Sequence, residues 1–427
     1  MSVVALHEHD TERHEEATTA PLGDGYRFIK TTRGDEEAVE LLNSTFDLAA
    51  EQGYSDVHME TFDGGRMRVR ARTNGALFEH GVADKKTAKQ IEDKIRMMTK
   101  MPLNDRETPQ DGRFSLWTGG RYVDVRTSLV PTRDGVSIVC RLLDQRNATR
   151  SLADLEMTPP VRAAYDAALA RNEGLFLLTG PTGSGKTSTL YTCLNAVNSM
   201  EKKLITIEDP VEYRLRYAQQ FEVSDKRPFA KLLRASLRQD PEIVLVGEIR
   251  DAETAGIAVQ ASLTGHLVLS TLHTNDAAGA VVRLADLGVD AYTLGTSLLA
   301  IVAQRLLNRV CPHCAVRKEF TASDRRWLDQ IGYDRALSFA ERSEDGCPDC
   351  NGKGFKGRVP IMEMIVGSGA LRTAIEEGDK RAIEAEARKQ PQFRSLVFAA
   401  LDASAKGRAP YRDAVALATH DTGAANE

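Results

Sequence analysis

The sequence predicts an α/β protein built of parallel β-α units around a central sheet, and three observations point there. Strand-like apolar runs and helix-like stretches alternate from Leu175 to Leu272, the pattern in which a crossover helix returns each new strand parallel to the last. The apolar run from Gly174 to Thr179 feeds the glycine-rich octet Gly180-Pro181-Thr182-Gly183-Ser184-Gly185-Lys186-Thr187, which opens a helix-like stretch continuing to Met200. Three further apolar runs, 204–207, 243–246 and 267–272, end in acidic or histidine side chains. An open sheet of this class gathers such strand ends along one edge, where ligands bind.

The octet satisfies GxxxxGK[ST] at every position, in the strand-loop-helix setting the pattern requires. Its glycines allow backbone N–H groups to converge on phosphate oxygens, and the N-terminus of the following helix adds partial positive charge. Lys186 is placed to reach the β- and γ-phosphates, and the Thr187 hydroxyl to meet Mg²⁺, a hard cation that prefers oxygen. The segment Gly180 to Ser188 is therefore the candidate nucleotide-binding loop, and triphosphate chemistry is implied.

At 427 residues the chain is longer than one core usually holds, so two or three domains are expected. Its apolar fraction of 42% is that of a globular protein. The longest apolar candidate, Leu294 to Leu307, is broken by Thr296, Ser297, Gln304 and Arg305, well short of the roughly 18 uninterrupted residues that span a bilayer. Met1 to Glu16 lacks a basic region followed by an apolar one, so no secretory signal is visible and a cytoplasmic location is expected. A net charge of −5 gives no general attraction to nucleic acid. His7, His9 and His14 hint at a metal, but such clusters are more often polar tails.

Residues 1–34 lack sustained periodicity and read as a flexible arm. Val39, Leu42, Phe46 and Ala49 then recur at helical spacing from Asp35, with Gly53 as the stop. In 66–72 arginine alternates with Met67, Val69 and Ala71, the mark of a half-buried strand whose basic face is either solvated or binds an anion. Arg121 to Val130 and Gly135 to Leu143 flank turn chemistry at Pro131-Thr132-Arg133-Asp134-Gly135 and form a hairpin. A turn centred between Arg133 and Asp134 pairs Val125 with Leu142, Thr127 with Cys140 and Leu129 with Ile138 on one mostly apolar face. Arg126 then opposes Arg141 on the other. Like charges directly opposed across strands repel, so the arrangement favours an anion between them, and a bound nucleotide is the obvious one.

The strand-end groups supply candidate catalytic residues. Glu208-Asp209-Pro210-Val211-Glu212 is a carboxylate cluster able to hold Mg²⁺ or its waters. Gly247-Glu248-Ile249-Arg250-Asp251 occupies the Walker B position, and the run 267–272 lies between His266 and His273. Any one of these alone is more often solvated or structural than catalytic; their coincidence beside one loop weakens that reading.

Four of the six cysteines form Cys311-Pro312-His313-Cys314 and Cys347-Pro348-Asp349-Cys350, two CxxC pairs that suit tetrahedral Zn²⁺, with 32 residues between them. Each pair alone also fits a redox motif, but such a site needs its own βαβ setting and disulfides are rare in the cytoplasm. Four thiolates fill the coordination sphere, so the metal is expected to be structural. Gly352 and Gly354 let the chain wrap closely around a thiolate. Cys140 and Cys193 sit at apolar positions and read as packing residues.

GPTGSGKTSTLY, ITIEDPVEY, LRQDPEIVLVGEIRD and TGHLVLSTLHTN together resemble the Walker A, Asp box, Walker B and His box of type II secretion and type IV pilus assembly ATPases. Ser55-Asp56-Val57-His58, 109–113, 123–126 and 141–144 extend the likeness over roughly residues 36 to 418. The resemblance implies a RecA-like P-loop ATPase domain with a smaller N-terminal α+β domain, a zinc module and C-terminal helices. Its expected limits are 1–34 arm, 35–146 N-terminal domain, 147–153 linker, 154–310 ATPase domain, 311–357 tetracysteine module, 358–418 helical region and 419–427 tail.

It further implies a homo-hexameric motor, peripheral at the cytoplasmic face of the inner membrane, that turns ATP hydrolysis into movement of a membrane platform protein. Glu248 would orient or activate the attacking water, Glu208 would assist at Mg²⁺, His273 would sense the γ-phosphate, and Arg126 and Arg141 match the family's arginine fingers. No specific nucleic acid is expected. Many relatives carry an additional N-terminal domain that docks on the platform, whereas about 35 residues precede the first shared element here, so docking is expected to fall to the remaining N-terminal domain or the cysteine module. A hexameric nucleic-acid translocase and a nucleotide-gated scaffold stay open as alternatives at this point, the second disfavoured because gating alone does not require the whole hydrolytic set.

Overall fold

Alternation of apolar and polar residues builds the first sheet. The structure, a computed structural model, describes residues 34–73, 76–118, 121–144, 150–333 and 338–421; the expected arm with His7, His9 and His14 and the end of the expected tail lie outside the described residues. The chain divides into two compact units, Met1–Gln145 and Arg146–Glu427.

In the first unit β1 (Asp56–Phe62), β2 (Arg66–Thr73), β3 (Ala76–Ala83), β4 (Gln110–Thr118), β5 (Arg121–Thr132) and β6 (Gly135–Asp144) form an antiparallel sheet in the order β3-β2-β1-β6-β5-β4. The helices Glu36–Gln52 and Lys85–Thr99 share one core with its inner face. The first buries Val39, Leu42, Phe46 and Ala49 and ends at Gly53 in the left-handed region, as the periodicity predicts. Asp84 starts the second by accepting from the Thr87 backbone N–H at 2.7 Å.

The β5–β6 hairpin has the register expected from its turn: Val125↔Leu142, Arg126↔Arg141, Thr127↔Cys140 and Leu129↔Ile138. Val125, Leu129, Ile138 and Cys140 are fully buried, and Leu142 is half-buried. On the opposite face the arginines of β2 meet carboxylates of the neighbouring strands: Arg68 with Glu79 at 2.9 Å and Arg70 with Glu60 at 2.7 Å. Much of that basic face is thus paired within the sheet.

In the second unit the sheet order is β15-β12-β7-β11-β10-β8-β9, comprising β7 (Gly174–Thr179), β8 (Leu204–Glu208), β9 (Ala218–Glu222), β10 (Ile243–Val246), β11 (Leu267–Leu272), β12 (Leu298–Val310) and β15 (Phe355–Val366). All neighbours run parallel except β12 and β15. Helices cover both faces, which is why the central strands read as unbroken apolar runs: Leu175 and Leu177 enter one core, Phe176 and Leu178 the other. The stretch Leu294 to Leu307 is the end of the helix Ala291–Ser297 followed by β12. No described helix is long and apolar enough to cross a membrane.

The expected boundaries at 310 and 358 differ from this architecture. β15 returns after the cysteines to pair with β12 from Val310↔Phe355 to Ala300↔Val366, so residues 358–366 are strand, and helices begin only with Gly369–Glu377. Leu371, Ile375, Ile383, Leu396 and Leu401 of the terminal helices pack in the same core as Leu175 and Val268. Local composition marks helices well but carries no record of which distant strand an apolar segment joins. Between β12 and β15 lie β13 (Val316–Glu319), the helix Ala322–Ile331 and β14 (Ser338–Glu341), with β13 and β14 paired antiparallel.

Ile138→Ala deletes a fully buried side chain under both helices of the first unit and is expected to destabilise that unit by about 2–5 kcal/mol, read as an earlier transition in chemical denaturation.

Candidate functional site

β7 lies between β11 and β12, and the loop that follows it, 180–185, leads into the helix Lys186–Val197. Gly180 has φ 148, and a Cβ there would meet the Gln304 carbonyl oxygen at 2.5 Å, so only glycine lets β12 and the loop approach this closely. The Gln304 side chain, buried, donates to the Ser184 carbonyl at 2.7 Å and accepts from Thr189 Oγ1 at 2.9 Å. Gln304 thus ties β12 to both the loop and the first turn of the helix. Sequence reading met it only as an interruption of an apolar run, because nothing in its spacing says which loop it faces.

Pro181, Thr182 and Gly183 are exposed, Gly185, Thr187 and Ser188 are partly so, and Ser184 is buried. Lys186 is buried and donates from Nζ to the carbonyls of Gly180 at 2.7 Å and Pro181 at 3.1 Å, inside the ring its own loop makes. Burial, helped by the charge of Arg305 and opposed by that of Glu248, lowers its ammonium to about 8.

The acidic strand ends separate into two environments. Glu208, at the end of β8, is buried, and both its oxygens are committed: Oε2 accepts from Tyr191 Oη at 2.5 Å, Oε1 from Thr206 Oγ1 at 2.6 Å and from Gln220 Nε2 at 3.3 Å. Burial raises its pKa above the usual 4.5 against those hydrogen bonds. Glu248, beyond β10, has a looser setting, with Oε1 2.5 Å from Arg250 Nη2 and Oε2 3.5 Å from His273 Nε2. Burial first, and then the Lys186 charge, lower the pKa of His273 below 6.5, so its ring is neutral at pH 7. Lys186, Glu248 and His273 therefore act on one another electrostatically.

Backbone and hydroxyl bonds lock these ends together. Thr271 Oγ1 donates to the Gly247 carbonyl at 2.8 Å, and Thr179 Oγ1 accepts from the Thr274 backbone N–H at 2.8 Å. Arg305 Nη2 reaches the Asn275 carbonyl at 2.9 Å. His266 stands at the other end of β11, bound to the Ala261 carbonyl at 3.1 Å, away from this group of residues. Arg126 and Arg141 belong to the first unit, opposed on β5 and β6.

The Sγ atoms of Cys311, Cys314, Cys347 and Cys350 lie within 4.8 Å of one another. The 311–347, 314–350 and 347–350 pairs are 3.7, 3.8 and 3.7 Å apart. A tetrahedron with metal–sulfur bonds of about 2.3 Å has edges of about 3.8 Å, whereas a disulfide is near 2.05 Å. The donor set thus fits Zn²⁺. Gly354 donates its backbone N–H to Cys350 Sγ at 3.2 Å, and a Cβ there would meet the Ser343 carbonyl oxygen at 2.4 Å.

A glycine loop between strand and helix, with a lysine inside it and carboxylate and imidazole groups on the adjoining strand ends, defines a P-loop nucleoside triphosphatase. The chain matches the family described as Type II/IV secretion system protein over residues 31–416, and it belongs to that family. It is 43% identical over 347 residues to type II secretion system protein E of Klebsiella pneumoniae, covering 81% of this chain and 69% of that one. It is 42% identical over 354 residues to type II secretion system ATPase E of Vibrio cholerae, covering 82% and 69%. Among solved structures, the Legionella pneumophila ATPase DotB superposes with a TM-score of 0.67 at 18% identity, over 93% of this chain and 100% of that chain. The pilus retraction motor PilT with bound ADP gives 0.62 at 24%, over 88% and 96%. The fold is RecA-like, and the chain is an ATP-hydrolysing enzyme.

Two outcomes follow from the loop. Gln304→Leu leaves the buried Thr189 hydroxyl and Ser184 carbonyl without their partner and lowers stability by about 1–3 kcal/mol in denaturation experiments. Because the neutral amine is the reactive form and its fraction rises with pH, acylation of Lys186 accelerates as pH passes about 8, ahead of solvated lysines near pH 10.4. Mass spectrometry after brief acylation reads this directly, and bound ATP protects the site.

Proposed function

We propose that this chain is a homo-hexameric motor that hydrolyses ATP to ADP and phosphate to power type II protein secretion or type IV pilus assembly. It works as a peripheral protein at the cytoplasmic face of the inner membrane, on a membrane platform partner. The observation that carries the reading is the placement of Lys186 within its own glycine loop and of His273 Nε2 3.5 Å from Glu248 Oε2 at neighbouring strand ends, in a chain with 42–43% identity to secretion ATPases.

In this reading the loop 180–188 cradles the phosphates with its N–H groups, and Lys186 exchanges the Gly180 and Pro181 carbonyls for phosphate oxygens. The Thr187 hydroxyl, an oxygen ligand of the right hardness, would help hold Mg²⁺, which would supply charge stabilisation to the phosphates. Glu208 assists from one remove, since both its oxygens are already engaged by Tyr191, Thr206 and Gln220. Glu248, held by Arg250 on one oxygen, orients the attacking water with the other. Neutral His273 donates a hydrogen bond toward the γ-phosphate. Arg126 and Arg141 stabilise transition-state charge as the arginine fingers. The four cysteines hold one structural Zn²⁺; Phe320, Leu328, Tyr333 and Phe339 of the same module pack into the ATPase core, so the metal pins the cysteine end of the module. The domain limits proposed keep the N-terminal domain and linker read from the sequence, with β15 and the terminal helices joined to the ATPase core.

Glu248→Gln is expected to abolish turnover while ATP affinity is retained. Arg126→Ala or Arg141→Ala each lower kcat by about 10³-fold or more; near wild-type hydrolysis by either would remove the finger assignment. One zinc per chain is expected by elemental analysis, and Cys350→Ser should lose it along with thermal stability. Stimulation of the ATPase by a platform protein supports the secretion role, whereas salt-sensitive stimulation by DNA would replace it with translocation.

A further inference from the structure

On the outer face of the first unit's sheet, Arg72, Asp56, Arg141, Arg126 and Arg113 stand directly opposite one another across β2, β1, β6, β5 and β4. Neighbours in such a row have Cβ atoms about 4.5–5.5 Å apart, so four guanidinium groups share this line with one carboxylate. That carboxylate is 6% exposed. Its Oδ1 accepts from Arg141 Nε at 3.0 Å, while Oδ2 accepts from Ser55 Oγ at 2.8 Å and lies 3.7 Å from Arg72 Nε. The Arg141 side chain nevertheless stays 65% exposed. Asp56 grips the inner edge of the guanidinium and leaves its outer end to the solvent.

We propose that Asp56 is the positioning residue of Arg141, fixing the side chain so that its outer fork is presented to the phosphate of a bound nucleotide. The inference rests on the reading of Arg141 as an arginine finger. A long cationic side chain free to rotate loses that freedom when it meets its anion; one anchored through Nε has lost it already, on folding. A small misplacement of such a group is costly to the rate. The same carboxylate offsets the charge of Arg141 opposite Arg126 before any nucleotide arrives. Arg141 is thus preset on the sheet face, and Asp56 is the reason.

The test uses the full-length protein in its assembled state, as wild type, Asp56→Asn, Arg141→Ala and the double variant, with labelled ATP so that residual turnover is measured. Asp56→Asn is expected to lower kcat by roughly ten- to a hundredfold with KM for ATP little changed, and to have no further effect when Arg141 is already alanine. Wild-type kcat in Asp56→Asn, or the same factor lost in both backgrounds, overturns the inference and leaves the finger reading standing. Near wild-type hydrolysis by Arg141→Ala overturns the finger reading itself and takes the inference with it. Should Asp56→Asn not assemble, Ser55→Ala removes only the hydroxyl that holds Oδ2. It is expected to lower kcat less, and only where Arg141 is present; loss in both backgrounds counts against the proposal.

Discussion

A phosphate loop has no helix or strand ladder of its own, so its conformation depends on what is pressed against it. In this chain that is β12. The Gln304 carbonyl oxygen lies 2.5 Å from where a Cβ of Gly180 would be, and the Gln304 amide bonds Ser184 and Thr189. In the proposed reading the loop's backbone is therefore shaped before nucleotide arrives, the kind of preorganisation that catalysis rewards. Placing β7 between β11 and β12 makes this possible, because the same arrangement brings the Walker B and His-box strand ends to the loop.

The chain's carboxylates divide by environment. Glu208 and Asp56 are buried, Glu208 accepting from Tyr191, Thr206 and Gln220 and Asp56 from Arg141 and Ser55. Glu248 instead lies between Arg250 and His273, within electrostatic reach of a buried lysine. Identical functional groups thereby acquire different environments, through desolvation and donors, on which the proposed division of roles rests.

β12 also connects the phosphate loop to the cysteines. Gln304 touches the loop, and Cys311 follows Val310 at the end of the same strand; β15 leaves the cysteine module and pairs back along β12 as far as Ala300. The module is therefore anchored at both ends to strands of the ATPase sheet. Val310, Cys311 and Val359 are buried at the base of that hairpin, so the four-thiolate cluster lies against packed strand ends.

The octet, the acidic and histidine strand ends, the cysteine pairs and the β5–β6 register were all legible in the sequence, because each depends on short-range pattern: loop chemistry at fixed offsets, or period-two alternation across a tight turn. The buttress of Gln304, the commitment of Glu208 to Tyr191 and Gln220, the membership of β15 in the ATPase sheet and the grip of Asp56 on Arg141 were decided by tertiary structure alone. Those contacts join residues 85 positions apart in one case and 120 in another. A polar side chain carries no local sign of which distant partner will meet it once the strands have chosen their neighbours.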